Sequence, residues 1–384
     1  MKNTVSLTSL RETDDVAASR KLPRRDYVLL PLIVVATVVC LFVAAEFATR
    51  AIWSAGTRGG ECHVADAREG MRNVPNCTMT VKTPETPWIT YHYNACGFRS
   101  TEGCGPKPAG TRRVALLGTS FAEGTSLPYD QSFAALAEHD LSRMCGAPVE
   151  VQNLGVYELP FRKVLNRIGP ALALQPDAAV LTVAPFDLEK INLPDVADAP
   201  AATVAPEPRS DLMARAKGWL SGSRAVAVAQ HYMFENPDIQ VPMYLKYGDK
   251  ADFLRPPFST AWRERLETFD KVAAAVADRF RATGVPVALM LIPQRTQAGL
   301  LVAKSLPTGI DPLALDHAMA EIAAKHGMRY IDLASSLKQS ANPADYYYPV
   351  DNHLNAAGAR VVARSMVTAL TAGGAPALSA CGSH

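Results

Sequence analysis

The chain has 384 residues, 48% of them hydrophobic, and a formal net charge of +2. That is ample apolar material for one large core plus a smaller appendage. The near-neutral balance, with no dense basic stripe, argues against a nucleic-acid partner.

Residues 1–26 are polar and carry Arg20, Lys21, Arg24 and Arg25. Tyr27 to Ala45 then runs without a charge, long enough to cross a bilayer as a helix. The basic cluster would stay in the cytoplasm and everything after Glu46 would lie outside. The reading is a cytoplasmic tail over 1–26 and a single transmembrane anchor over 27–48. A cleaved signal peptide is the rival, but the leading region is long for one and Ala44-Ala45 is only a passable cleavage site.

Cys40 lies in the apolar run. The other six cysteines are Cys62, Cys77, Cys96, Cys104, Cys145 and Cys381. Their even number suits disulfides in an oxidising compartment. The sequence does not resolve the pairing. Local closure favours Cys62–Cys77 and Cys96–Cys104, which leaves Cys145 with Cys381. No Cys-X2-Cys spacing suggests zinc, and His317 with Glu321 lacks a third ligand, so neither a metal nor a cofactor is expected.

Residues 49–110 read as a juxtamembrane segment with disulfides, rich in Pro, Gly and polar residues. Trp88 to Tyr93 alternates like a strand, and Asn94-Ala-Cys-Gly97-Phe98-Arg99 reads as a turn. From residue 111 the pattern becomes strand, helix, strand. Val114–Leu117, Val149–Asn153, Ala178–Ala184, Val285–Ile292 and Arg329–Leu333 read as strands. Phe133–Met144, Phe161–Leu174, Trp262–Phe280 and Leu313–His326 read as helices, and Val361, Val362, Met366 and Leu370 mark another. Within an insertion over 188–262, Leu193–Arg209 reads as a loop and Leu212–Ala229 as a helix. Aromatics run from Tyr232 to Phe253. Residues 375–384 read as a tail.

Strands separated by helices imply an α/β fold with a five-stranded parallel sheet covered on both faces. The expected architecture is a flavodoxin-like three-layer α/β/α sandwich spanning 111–374. Right-handed crossovers put the loops after the strands at one edge, and Ser120, Gly155, Asp187 and Gln294 would lie along it.

Ser120 comes just after the first core strand and Gly118. Much later, Asp351-Asn-His353 precedes a helix. Serine needs an imidazole to take its proton, and the imidazole needs a carboxylate to fix its tautomer. Ser120, His353 and Asp351 could supply all three groups. Together with Val151-Gln-Asn153-Leu-Gly155, these blocks resemble the SGNH (GDSL-like) hydrolase superfamily, and more closely its membrane-anchored bacterial envelope branch. The resemblance covers roughly Tyr91 to Ala372. Gly118-Thr-Ser120 is similar to the first block, with Thr119 where aspartate is usual. Ala184-Pro-Phe186-Asp187 stands where the third block has its asparagine, with Phe186 at that position. Loss of such a donor costs about 100- to 1,000-fold in turnover.

The resemblance implies a Ser120–His353–Asp351 triad, an acyl-enzyme, and an oxyanion hole from the N–H groups of Ser120 and Gly155. Asn153, Phe186, Asp187 and Gln294 become candidate substrate-binding residues. It implies O-acetyl transfer or hydrolysis on an envelope or secreted polysaccharide, from the periplasmic side of a bacterial inner membrane. A single span cannot carry an acyl donor across, so a multi-span acyltransferase partner is expected. The competing readings are an inactive glycan- or partner-binding module and a lipid or carboxylester esterase.

Overall fold

The computed structural model describes residues 23–193 and 222–382. Most of the tail over 1–26, all but the first residue of the loop over 193–209 and most of the expected helix over 212–229 fall outside these residues. Asp26–Ile52 forms a helix of 27 residues with none buried. At 1.5 Å per residue it is about 40 Å long, and among the described residues it alone is long and apolar enough to cross a membrane. Residues up to Ala48 form one compact unit and Thr49–His384 another.

Residues 56–104 hold more regular structure than their composition suggests. Strands β1 (Gly56–Gly59), β4 (Thr78–Lys82) and β5 (Ile89–His92) make a three-stranded antiparallel sheet in the order β1-β4-β5. Between them β2 (His63–Asp66) and β3 (Gly70–Asn73) form a hairpin. A small core of Cys62, Met79, Ile89, Tyr91 and Tyr93 holds the module together. Disulfides Cys62–Cys77 and Cys96–Cys104 staple it. Of these strands only β5 stands out in the sequence, because the others are short and mostly polar.

The main sheet is built from β6 (Arg112–Leu117), β7 (Val149–Asn153), β8 (Ala178–Val183), β9 (Val287–Leu291) and β10 (Arg329–Ile331). Its order is β10-β9-β8-β6-β7, and it is parallel throughout. Every residue of β7, β8 and β9 is buried, as a sheet covered on both faces requires. Helices Phe133–Cys145 and Ala356–Ala369 pack on one face. Helices Thr260–Arg281, Ala314–Lys325 and Ile168–Ala173 pack on the other. The expected three-layer α/β/α sandwich is the observed fold.

Three expectations change. Phe161–Leu174 is a tight 3-10 turn (Phe161–Arg167) that leads into a short α-helix (Ile168–Ala173). Pro170 has no N–H to return to the carbonyl of Asn166, so a continuous α-helix is not available there. Strand β10 stops at Ile331 because Asp332 caps the helix Leu333–Leu337, accepting the Ser335 N–H at 2.9 Å. Residues 375–382 are not a loose tail. Ala375, Leu378 and Cys381 are buried, and Cys381 is bonded to Cys145 at the end of the first sheet-covering helix.

Candidate active site

Strand β6 ends against its neighbour so closely that Gly118 admits no side chain: a Cβ there would lie 2.1 Å from Thr182 Oγ1. The chain turns at once into a single helical turn, Ser120–Glu123, which holds the Ser120 hydroxyl at the carboxyl edge of the sheet. Gly155, after β7, approaches the same turn. A Cβ on it would lie 2.3 Å from the Glu123 nitrogen. Two bare glycines therefore let adjacent strand ends close around the serine.

The other half of the site comes from the far end of the chain. A bridge between Tyr347 and Leu354 closes a loop, braced inside by Asn352 N–H to Tyr348 O at 3.0 Å. Asn352 sits at φ +61°, a conformation asparagine tolerates, and its amide donates to Val350 O at 2.8 Å. That turn lets Asp351 and His353 meet. His353 Nδ1 lies 3.0 Å from Asp351 Oδ2, and its Nε2 lies 2.9 Å from Ser120 Oγ. Asp351 Oδ2 also accepts the Ser126 hydroxyl at 2.7 Å. Burial alone would raise the Asp351 pKa, but the hydrogen bonds from His353 and Ser126 hold it below its ordinary value.

The remaining candidates divide. Gly155 N–H, expected to face an oxyanion, donates instead to Asn153 Oδ1 at 3.0 Å. The Asn153 amide in turn donates to Ala122 O at 2.7 Å, and the residue is fully buried. Both are therefore scaffold for the serine turn and are not turned toward a ligand. Asp187 does line the cleft, while its hydrogen bonds also serve the scaffold. Its carboxylate accepts the Thr119 hydroxyl and the Ala184 N–H, each at 2.8 Å, so it ties the third strand's loop to the residue before Ser120. Phe186 and Gln294 line the cleft as well. Phe186 is 45% exposed with Lys190 Nζ 4.0 Å above its ring, and Gln294 accepts the Tyr244 hydroxyl. The Ser120 N–H has no acceptor among the described residues. The cleft has a volume of about 860 Å³, and Phe121, Phe234, Tyr244 and Tyr247 add aromatic surface around Ser120 and His353.

Burial pushes the Asp187 pKa up to about 6 from 3.8, against the lowering effect of its hydrogen bonds. The folded state thus holds this proton more tightly than the unfolded chain. Its contribution to stability falls as pH rises from about 4 to about 6, then levels. In Asp187→Asn the amide oxygen can still accept from Ala184 while its NH2 donates to Thr119. The variant should therefore gain on wild type between pH 4 and pH 7 in urea-midpoint measurements. A difference between the two proteins that does not change with pH would refute this.

Several supporting residues carry no signal in the sequence. Arg99 is fully buried and donates to the carbonyls of Glu123, Gly124 and Leu127, with its guanidinium 4.1 Å from the Tyr91 ring centre. The Tyr91 hydroxyl accepts the Ser126 N–H at 2.9 Å. Glu123, at the end of the serine's own helical turn, accepts from Tyr93 and pairs with His63, both at 2.9 Å. The small disulfide-bonded module is thus built into the site. The Asn94–Arg99 segment, read from the sequence as a turn, satisfies the carbonyls beneath the serine through Arg99.

Residues 253–382 match the family model described as the SGNH hydrolase-like domain of acetyltransferase AlgX. The resemblance to SGNH hydrolases holds over these residues. The match includes Asp351 and His353 and begins well after Ser120. No curated protein sequence matches the chain. Among solved structures, the acetylxylan esterase Axe2 from Geobacillus stearothermophilus is 12% identical, with a TM-score of 0.39 over 67% of this chain and 92% of that one. The lipase/acylhydrolase from Enterococcus faecalis is 13% identical, with a TM-score of 0.38 over 67% and 95%. The acetyl xylan esterase AlAXEase is 17% identical, with a TM-score of 0.38 over 67% and 99%. The SGNH hydrolase-like domain supports chemistry on acyl esters.

Proposed function

We propose that the protein carries out serine-dependent ester chemistry, moving O-acetyl groups on an envelope or secreted polysaccharide. The observation that carries this reading is the unbroken hydrogen-bonded sequence Ser120–His353–Asp351 opening into an aromatic-lined cleft. In the first half-reaction Ser120 Oγ attacks the acetyl carbonyl while His353 Nε2 takes its proton. The Ser120 N–H is the available donor to the developing oxyanion. Collapse expels the donor alcohol, which takes the proton back from His353, and leaves an acetyl ester on Ser120. In the second half-reaction a sugar hydroxyl or water gives its proton to His353 and attacks that ester. Ser120 is then restored, with transfer in one case and hydrolysis in the other.

Exposed rings favour a sugar substrate. Tyr247 is 57% exposed and Phe186 45%, and flat aromatic faces suit the apolar faces of pyranose rings. The family whose model matches includes an acetyltransferase by its description, which agrees with a short acyl group. The helix Asp26–Ile52 serves as the anchor in this reading, with the site on the periplasmic side of an inner membrane. A multi-span partner supplies the acyl donor.

The test is direct. Full-length protein in detergent, disulfides intact, is mixed with p-nitrophenyl acetate and its peptides are examined by mass spectrometry. An added acetyl group on Ser120 is expected. Substrate turnover with no adduct on any serine would sink the mechanism. No turnover at all would favour the glycan-binding module, with Phe186 in place of the third-block donor as its physical cause.

A further inference from the structure

A second carboxylate stands behind the acid loop. Glu85 lies in the turn between β4 and β5, a turn closed by the Thr83 N–H to Thr86 Oγ1 bond at 3.0 Å. Its side chain is 3% exposed. Glu85 Oε2 accepts the Asp351 N–H at 2.7 Å, and the Val350 N–H lies 3.1 and 3.2 Å from its two oxygens. Its Oε1 is also 2.6 Å from His231 Nδ1 on the helix Arg224–Glu235. The other face of that contact is closed by Trp53, whose ring meets His231 edge-on at 4.8 Å.

We infer that Glu85 is a positioning residue for the Ser120–His353–Asp351 chain. This rests on the ester chemistry proposed above. Asp351 is held at two places. Ser126 fixes its carboxylate, and Glu85 fixes its backbone. Withdrawing Glu85 leaves two part-buried N–H donors without their acceptor, and the loop must shift to reach another. A small displacement there carries Asp351 Oδ2 away from His353 Nδ1, and misplacements of about 1 Å can cost about 100-fold in rate. His231 orients the carboxylate through Oε1.

Two substitutions separate geometry from charge. In Glu85→Gln the amide oxygen can take the Oε2 position and accept both backbone N–H groups, while its NH2 donates to His231 Nδ1 in the tautomer with the proton on Nε2. Glu85→Asp keeps the charge but withdraws the carboxylate by one methylene. Full-length proteins in detergent are compared for p-nitrophenyl acetate turnover and for the rate at which a fluorophosphonate probe labels Ser120. Both rates are normalised to folded protein from a thermal melt. Glu85→Gln should stay within about threefold of wild type. Glu85→Asp should lose about 10- to 100-fold in kcat and in labelling rate, with KM within about twofold. A residue that only stabilised the fold would lower the melting temperature and leave the kcat of folded molecules alone. Wild-type rates in Glu85→Asp, or an equal loss in Glu85→Gln, would overturn the inference. Failure of wild type to label at Ser120 would instead remove the ester chemistry on which it rests.

Discussion

Ser120→Ala should lower turnover of an acetyl ester on the order of 10⁴-fold or more. The alanine keeps the strand–turn geometry, because the contacts that shape the turn are made by Gly118, Gly155 and Arg99 and not by the hydroxyl. What disappears is the oxygen that lies 2.9 Å from His353 Nε2. The acyl-enzyme route is then closed, and only binding in the cleft and the turn's backbone donor remain. His353→Ala should cost a similar factor, since the serine without its base stays protonated at neutral pH. The double variant should be no worse than either single one, because groups that act as a unit are lost as a unit. Steady-state rates for the four proteins test this. A Ser120→Ala enzyme within tenfold of wild type would rule out Ser120 as nucleophile.

Glu123→Ala should destabilise the protein by about 3–5 kcal/mol, the range expected when one partner of a buried charged cluster is removed. The Glu123 side chain is 0% exposed. Its removal takes away the acceptor shared by the Tyr93 hydroxyl and His63 Nε2 and leaves them only their 2.7 Å contact with each other beneath the serine turn. Burial pushes the Glu123 pKa up, but the hydrogen bonds from His63 and Tyr93 and the charges of His63 and Arg99 win, so it lies below its ordinary value of 4.5. For a carboxylate with a lowered folded pKa, the stabilisation is present above the unfolded value and is lost as pH falls through the folded one. The gap between wild type and Glu123→Ala should therefore be widest near neutrality and narrow in acid below about pH 4.5. Urea midpoints across that range measure it. A loss below about 1 kcal/mol at pH 7 would mean the cluster does not support the turn.

The central sheet is legible in the sequence because its strands are short, nearly continuous apolar runs separated by helical spacing. Ala178–Val183 and Val287–Leu291 are such runs, whereas Val149–Asn153, Val-Glu-Val-Gln-Asn, shows itself by alternation. The Ser120, Asp351 and His353 blocks are legible as spacing, because each chemistry-bearing residue sits beside a strand end or a helix start. Their supports are not. Glu85 grips Asp351 from 266 positions away, and Ser126 does so from 225. No local pattern marks a residue whose partner lies at the other end of the chain. The second block shows the opposite failing. Asn153 and Gly155 stand out by position, yet their hydrogen bonds go to each other and to Ala122. The hairpin β2-β3 leaves no trace in the pattern, because four-residue strands with glycine and charged residues carry too little alternation. Two disulfides pair as local closure favours, and the third joins the two cysteines left over, Cys145 and Cys381, 236 positions apart.

The long sequence separation of these contacts has a consequence for how the molecule is made. His63, Glu85, Arg99 and Ser120 are all synthesised more than 230 positions before His353. Val350, Asp351 and His353 follow Ser120 by 230 or more positions, so in the proposed reading the serine waits for its base until the residues between them are made. A chain that stalls before residue 350 would carry a shaped serine turn and no means of activating it. Under the proposed ester chemistry, the nucleophile gains its base only once the loop before the helix Ala356–Ala369 has formed.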